Sequence, residues 1–350
     1  MLHLAIRSYH RPFRTPLQTH HGVWAQREGI ILRLEDDNGQ VGFGEIAPIP
    51  WFGTETLEIA ADFCTHWLDA FLPEQMAAIP DTLPACQFGF ATAIYALHRS
   101  QHEQPVASGR EDRVVAGSHH QLGVLGDASV LLPPDQICGL LPAGAKALEV
   151  WVDLWQKGHR TFKWKIGMAP ILEELSVFRR LVEALPTEAR LRLDANGGLT
   201  SVTAECWLAA CDATCGKVEF LEQPLPPALI LDWILVRAGA FRTAIALDES
   251  VATLGQLQQV CQRLQAQGVY VVKPAIAGFP ERLKVLCTRH HLDVVYSSAL
   301  ETPVGRNAVL ALIPSLDNTG RPQRALGFGV KHWFQDDWDS LSEEALWQRL

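Results

Sequence analysis

Six short apolar runs recur at nearly even intervals through the later part of this 350-residue chain, and five of them close on a charged side chain. They read TFKWKIG, ARLRLDAN, KVEFLEQP, TAIALDES, VYVVKP and LDVVYSS. The first carries Lys163 and Lys165; the next four end on Asp194, Glu222, Asp248 and Lys273, at separations of 28, 26 and 25 residues. Each separation is about one strand plus one helix, and helical runs such as ILEELSVFRRLVEAL, SVTAECWLAACDAT and LGQLQQVCQRLQAQ lie between them. Repeated β-then-α units imply parallel strands joined by crossover helices. The units are too many for one mononucleotide-binding half, and no GxGxxG follows a strand. The pattern therefore favours an α/β fold of the closed (β/α) TIM-barrel kind over an open doubly wound sheet, which it leaves as an alternative.

The first third has another texture. Residues 1–49 alternate apolar and polar, and IILRLEDDNGQVGFGEIAP reads as two strands joined by a turn at Asp37-Asn38-Gly39. Helical patterning runs from about Glu55 to His98 with breaks near 80–84, and the polar SQHEQPVASGRED reads as a linker or surface loop. This region is α+β. A net charge of −9 argues against a nucleic-acid or anionic-membrane partner. Every long apolar run is cut by charge, Pro or Gly, and the N-terminus lacks the apolar core of a secretory signal, so a cytoplasmic protein is expected. The eight cysteines form no CxxC pair and are expected to be reduced. Cys206, Cys211 and Cys215, in an apolar helical stretch, are expected to be buried thiols.

Strand alternation puts Lys163 and Lys165 on one face. Barrel enzymes build their sites where barrel strands end, so the polar groups would meet at one rim. Asp194, Glu222 and Asp248 converging there would repel one another unless a cation sits between them. Oxygen ligands suit Mg²⁺ or Mn²⁺, and the absence of His and Cys at these positions argues against zinc. A lysine on each side is a candidate for proton transfer, its pKa lowered by the metal and the neighbouring cation. Taken singly, an acidic residue at a strand end is usually a cap or an ion-pair partner, and a lysine such as Lys163 a solvated or paired charge; five such residues on five successive strands resist that reading. GFGE at 42–45 lacks a following Lys-Ser/Thr and reads as a β-turn or a close contact with the barrel. The pairs His119-His120 and His290-His291 read as surface histidines.

KWK at 163–165, LDAN at 193–196, EQP at 222–224, DES at 248–250 and KP at 273–274 together resemble the enolase superfamily, in its branch with a Lys-x-Lys motif. SYHRPFRTPL, REGIILRLED with GFGEIAPIPWFGTETL, and TFKWKIG with RLDANGG resemble, within that branch, the o-succinylbenzoate synthases, from about residue 5 to about 335. The resemblance implies an α+β capping domain over 1–112, a modified barrel over 113–325, and a segment 326–350 that returns to the cap. It implies Asp194, Glu222 and Asp248 as Mg²⁺ ligands, with Mn²⁺ an alternative. Lys165 would be the base, Lys273 would lie on the opposite face of the substrate, and Lys163 would assist Lys165 and touch the substrate carboxylate. Arg192 matches an arginine typical of these synthases. Ser297 and Ser298 would line the pocket, as would Leu326 and Gly327 in RALGFGV, where Ala325 and Phe328 depart from the GLGT-like turn of relatives. Glu301 receives no ligand role. LQTHHGVWAQREG would be a mobile cap loop, with His20 and His21 as loop residues.

The implied reaction is dehydration of a small carboxylate, 2-succinyl-6-hydroxy-2,4-cyclohexadiene-1-carboxylate, to o-succinylbenzoate in menaquinone or phylloquinone biosynthesis. Alternatives that keep the site are an N-acylamino-acid racemase, a dipeptide epimerase or a muconate-type cycloisomerase. A non-catalytic binding barrel, and a phosphosugar barrel using ALETPVGRN, are alternatives of other classes. A homo-oligomer is compatible with all of them.

Overall fold

The alternating N-terminal stretch folds as a three-stranded antiparallel sheet, β1 (Leu2–Thr19), β2 (Gly22–Asp36) and β3 (Val41–Ile46), in that order. The computed structural model describes residues 2–19, 22–68, 72–102, 132–316 and 320–350. The Asp36 carboxylate accepts from the Asn38 and Gln40 amides and shapes the turn between β2 and β3. Ile30, Leu32 and Leu34 are fully buried on one face, against helices Leu57–Thr65 and Pro84–His102. GFGE is a strand segment and not a turn, and the expected close contact with the barrel is made by its Glu45, which accepts from the Thr302 and Gly305 amides. A β-carbon at Gly42 would lie 2.1 Å from the Ala93 carbonyl oxygen, and one at Gly44 2.1 Å from that of Gly89. The glycines let the cap's own long helix lie on β3, while Glu45 beside them reaches the barrel. Within the expected cap loop at 17–29, Leu17 pairs with Trp24 and Thr19 with Gly22, so β1 and β2 run through most of it.

The predicted alternation builds a parallel sheet of seven strands: β4 (Gly139–Leu141), β5 (Thr161–Lys165), β6 (Arg190–Asp194), β7 (Val218–Glu222), β8 (Ala244–Leu247), β9 (Val269–Val272) and β10 (Asp293–Tyr296). They follow one another in sequence order. Phe220, Ala246, Val269, Val271 and Val295 pack inside. Trp164 and Leu193 point outward, and the Trp164 ring meets Trp207 of helix Ser201–Asp212 edge-on at 6.2 Å. Thr200 and Thr253 start their helices by accepting from the amides three residues on.

The eighth position is filled late in the chain. Leu326 bridges Ile137, just before β4, and Gly327 bridges Ser297, just after β10, both in parallel, so 326–327 spans the gap between the two edges of the sheet. A β-carbon on Gly327 would sit 2.4 Å from Ser297 Oγ, which makes glycine a requirement of closure. The C-terminal segment then runs along β1. Arg7 donates to the Trp347 carbonyl, Arg11 binds Asp336 and Asp339, and Phe13 stacks on Phe334 at 5.1 Å.

All eight cysteines are free, but only Cys211 of the 206/211/215 group is buried. Cys206 faces outward on its helix, and Cys215 lies past the helix end at φ 54°. Of the linker expected over 100–112, residues 100–102 end the helix Pro84–His102, and 103–112, like His119-His120, lie outside the described residues. His290 and His291 are exposed, as expected.

Candidate active site

Register brings the charged strand ends together. Lys165 pairs with Asp194 and Asp194 with Glu222, placing the three side by side at one rim. Glu222 pairs with Ala246, so Asp248 follows two residues on along the same face. Lys273 follows β9, four strands round from β5 and thus across the barrel from Lys165. Asp194, Glu222, Asp248 and Lys273 are 6%, 1%, 5% and 7% exposed, so their charges must be met by one another or by a ligand.

Lysines meet them. Lys163 Nζ lies 2.7 Å from Asp194 Oδ2 and 2.8 Å from Glu222 Oε1, and Lys273 Nζ pairs with Asp248. Consequently, among the described residues, no three His, Cys, Asp or Glu side chains stand close enough to hold a metal ion. Each carboxylate leans on an ammonium here, and the strand ends that carry the three expected ligands lie at one rim. The Lys163 ammonium answers to these same neighbours. Burial opposes its charge, but Asp194, Glu222 and Asp248 together hold it well above the ordinary lysine value. Burial pushes Glu222 up to about 8, Asp194 and Asp248 add to this, and Lys163 opposes it. Lys165 differs: half-buried, it has no hydrogen bond or ion pair among the described residues.

Several supporting residues escaped the sequence reading, although four of them sit inside the quoted motifs. Gln223 donates to Ser250 Oγ at 2.8 Å and accepts from the Asp248 amide at 3.1 Å, tying two strand ends. The Asn196 amide donates to Asp194 Oδ1 at 3.0 Å, and Asn196 Nδ2 donates to Glu249 Oε1 at 3.1 Å. Burial, with Asp248 and Asp194, raises Glu249 to about 7, and its Oε2 has no partner among the described residues. Glu174 accepts from the amides of Gly167, Met168 and Ala169, the loop that follows Lys165. From the cap, the Phe52 ring lies 4.8 Å from Lys273 Nζ. Three buried ligand-type carboxylates, with Glu249 beside them, offer only oxygen donors, which fits a hard divalent cation.

The remaining candidates are placed as follows. Arg192 is 2% exposed, one layer below Asp194; its Nε donates to Glu219 at 2.6 Å and its Nη1 to the Ala325 carbonyl at 2.8 Å. Its Nη2 has no partner among the described residues. Ser297 Oγ donates to the Gly327 carbonyl at 3.3 Å. Ser298 Oγ donates to Glu301 Oε2 at 3.0 Å and accepts from the Leu300 amide, so its hydroxyl serves the turn itself. Leu326 is buried in the closing strand. His20 and His21 lie outside the described residues. The amides of Thr302 and Gly305 in ALETPVGRN are occupied by Glu45, whose Oε2 lies 3.0 and 2.9 Å away, leaving no free helix terminus for a phosphate.

Comparison with known proteins agrees with this geometry. The enolase C-terminal domain-like family matches residues 146–341, and the MenC N-terminal domain family matches residues 1–97. A curated o-succinylbenzoate synthase from Thermosynechococcus vestitus is 40% identical, with 98% of each chain covered. The crystal structure of o-succinylbenzoate synthase from Thermosynechococcus elongatus BP-1, complexed with Mg in its active site, matches with a TM-score of 0.84. It is 40% identical, and 99% of this chain and 100% of that one are covered. The L-Ala-D/L-Glu epimerase of Bacillus subtilis, at 18% identity and a TM-score of 0.70 over 95% and 91% of the chains, shares the fold.

Proposed function

This chain belongs to the o-succinylbenzoate synthase family of the enolase superfamily, and from that premise we propose how its residues divide the reaction. The family's activity is that of a lyase of menaquinone biosynthesis, removing water from 2-succinyl-6-hydroxy-2,4-cyclohexadiene-1-carboxylate to leave o-succinylbenzoate. A carbon-bound proton next to a carboxylate is very weakly acidic, and its loss puts a second negative charge on that carboxylate. Asp194, Glu222 and Asp248 would hold Mg²⁺, which supplies electrostatic stabilisation for that charge. Lys165, in its neutral form, takes the proton and as an ammonium returns it to the departing hydroxyl. One C–H and one C–O bond break, water leaves, and the ring becomes aromatic with no oxidant needed. Lys273 would face the intermediate from the other side, its Nζ beside Asp248 and the Phe52 ring, and Lys163 would lie beside the carboxylate.

The observation that carries the reading is the pair of lysines on opposite walls, of which only Lys165 lacks a partner among the described residues. The eight free thiols support a reducing, cytoplasmic setting. The test is turnover of the cyclohexadiene substrate, followed by its ultraviolet loss, with and without Mg²⁺ and with Lys165→Ala. Metal-dependent dehydration abolished by the substitution is expected. Opposed lysines also suit racemisation. No dehydration, alongside solvent-deuterium exchange into N-acylamino acids or dipeptides, would transfer the site to that chemistry.

A further inference from the structure

Arg27 is 2% exposed, and among the described residues no carboxylate pairs with it. Its donors go to main-chain oxygens: Nε to Ala299 at 3.1 Å, Nη1 to Pro48 at 2.7 Å and Glu28 at 2.9 Å, and Nη2 to Ala47. Ala47 and Pro48 lead into Pro50–Phe52, whose last ring lies on Lys273. Ala299 belongs to the loop after β10, and that loop begins at Ser297, whose amide bonds the Val272 carbonyl one residue before Lys273. One guanidinium therefore touches the segments on both sides of the same lysine.

The second segment does not hold its shape by itself. Leu300 adopts φ 63°, a left-handed conformation that costs a side-chain-bearing residue free energy unless its surroundings impose it. The surroundings do so from three directions. Glu301 Oε2 accepts from the Ala299 amide and the Ser298 hydroxyl, the Ser298 amide bonds the Gly327 carbonyl, and Arg27 supplies the hold from the cap. Leu300 itself is buried with Phe13 and Phe334. Several carbonyls set around one planar fork suit a guanidinium, whereas an ammonium cannot reach them all.

We propose that Arg27 is a positioning residue that sets both walls beside Lys273, the 47–52 segment of the cap and the 297–300 loop of the barrel. Through them it sets how the substrate is gripped. The choice of substrate rests on the synthase reading; the latch does not.

The test is steady-state kinetics of Arg27→Lys and Arg27→Met on the cyclohexadiene substrate with saturating Mg²⁺. The walls grip substrate and transition state alike, Lys165 and the metal carboxylates lie on strands that Arg27 does not touch, and Lys273 keeps its ion pair with Asp248 when Arg27 is replaced. KM is therefore expected to rise about tenfold in the lysine variant and further in the methionine variant, with kcat within about threefold. A purely structural role would reduce the active fraction, lowering kcat at constant KM. In Arg27→Ala, millimolar guanidinium is expected to bring KM back toward wild type, and methylammonium is not. Unchanged KM in the folded variants overturns the proposal. Hydrogen exchange supplies a readout without substrate: faster exchange in both 47–53 and 297–302 of Arg27→Lys is expected, and unchanged exchange in both overturns the latch. That readout also covers a methionine variant that fails to fold. Because it needs no turnover, an inactive wild type would refute the synthase reading while still deciding the role of Arg27.

Discussion

Replacing Glu174 by alanine tests how the proposed base, Lys165, is held. Glu174 is 3% exposed and lies in the first turn of helix Ile171–Ala184, from which its carboxylate receives the Gly167, Met168 and Ala169 amides at 2.8, 2.8 and 3.2 Å. These are charge-assisted bonds in a loop whose middle residue, Met168, is 55% exposed, so water can reach part of what the substitution leaves open. A net loss of about 1 kcal/mol per bond, or about 3 kcal/mol in all, follows. A chain of this length melts with an entropy that converts this into a fall of about 4 °C in Tm, if it unfolds as one unit. The loop starts directly after Lys165, so its release also frees the base. A displacement on the order of 1 Å costs up to about a hundredfold in rate. Melting followed by circular dichroism, together with kcat and KM on the same preparations, should therefore show a lower Tm and a lower kcat at similar KM. Glu174→Gln, with one acceptor oxygen left, should fall between alanine and wild type. A lowered Tm with kcat within twofold would refute the link to Lys165, and an unchanged Tm would refute the bonds themselves.

Gly327→Ala forces a methyl group to within 2.4 Å of Ser297 Oγ, and should lower stability by about 1–3 kcal/mol by thermal melting; a Tm within a degree of wild type would mean that the closing strand is not where it is placed. Lys273→Met removes the counter-ion of Asp248, which is 5% exposed, so the metal-free variant should melt lower and saturating Mg²⁺ should recover most of the loss without restoring turnover; a variant as stable as wild type without metal contradicts this. Burial, with Glu45 adding, pushes Glu301 up to about 7. The folded state then keeps a proton that the unfolded chain loses near pH 4.3, so this group's contribution to stability falls as pH rises through that window and is level above it. Glu301→Gln should remove that fall, so its stability relative to wild type should increase with pH, as read by denaturant titration at several pH values; a constant difference would show that Glu301 does not titrate there.

The barrel and its five charged strand ends were legible because both follow from period alone. Parallel strands recur about every 25 residues, and alternation assigns a face to each side chain, so Lys165, Asp194, Glu222, Asp248 and Lys273 could be placed together before any coordinates. What stayed hidden depends on partners that leave no period. Arg27 looks like one more polar position on an alternating strand, because its acceptors are backbone oxygens, one of them at Ala299. Glu174 looks like a solvent-facing helix glutamate, because its partners are amides, which carry no sequence signal. Ser298 was read toward the pocket, yet its turn uses the hydroxyl first. Glu249 and Asn196 stood beside the proposed metal-ligand positions in plain view, but the turns after the strands, with Asn196 at φ 44°, break the alternation that would have assigned their direction.

The closing strand at 326–327 and the tail that runs along β1 also set an order of assembly. A chain emerging from the ribosome presents β1 and β2 first, yet Arg11 waits for Asp336 and Asp339, and Phe13 for Phe334. β4 likewise waits for Leu326 before its open edge is covered. Both halves thus depend on the last tenth of the message, and a nascent chain stalled before it carries two unfinished surfaces: an exposed strand edge on the barrel and an uncovered aromatic face on the cap. Such a chain is the species most exposed to aggregation and to chaperones, and loss of the final twenty or so codons should be felt at the far end of the molecule as much as at the near one.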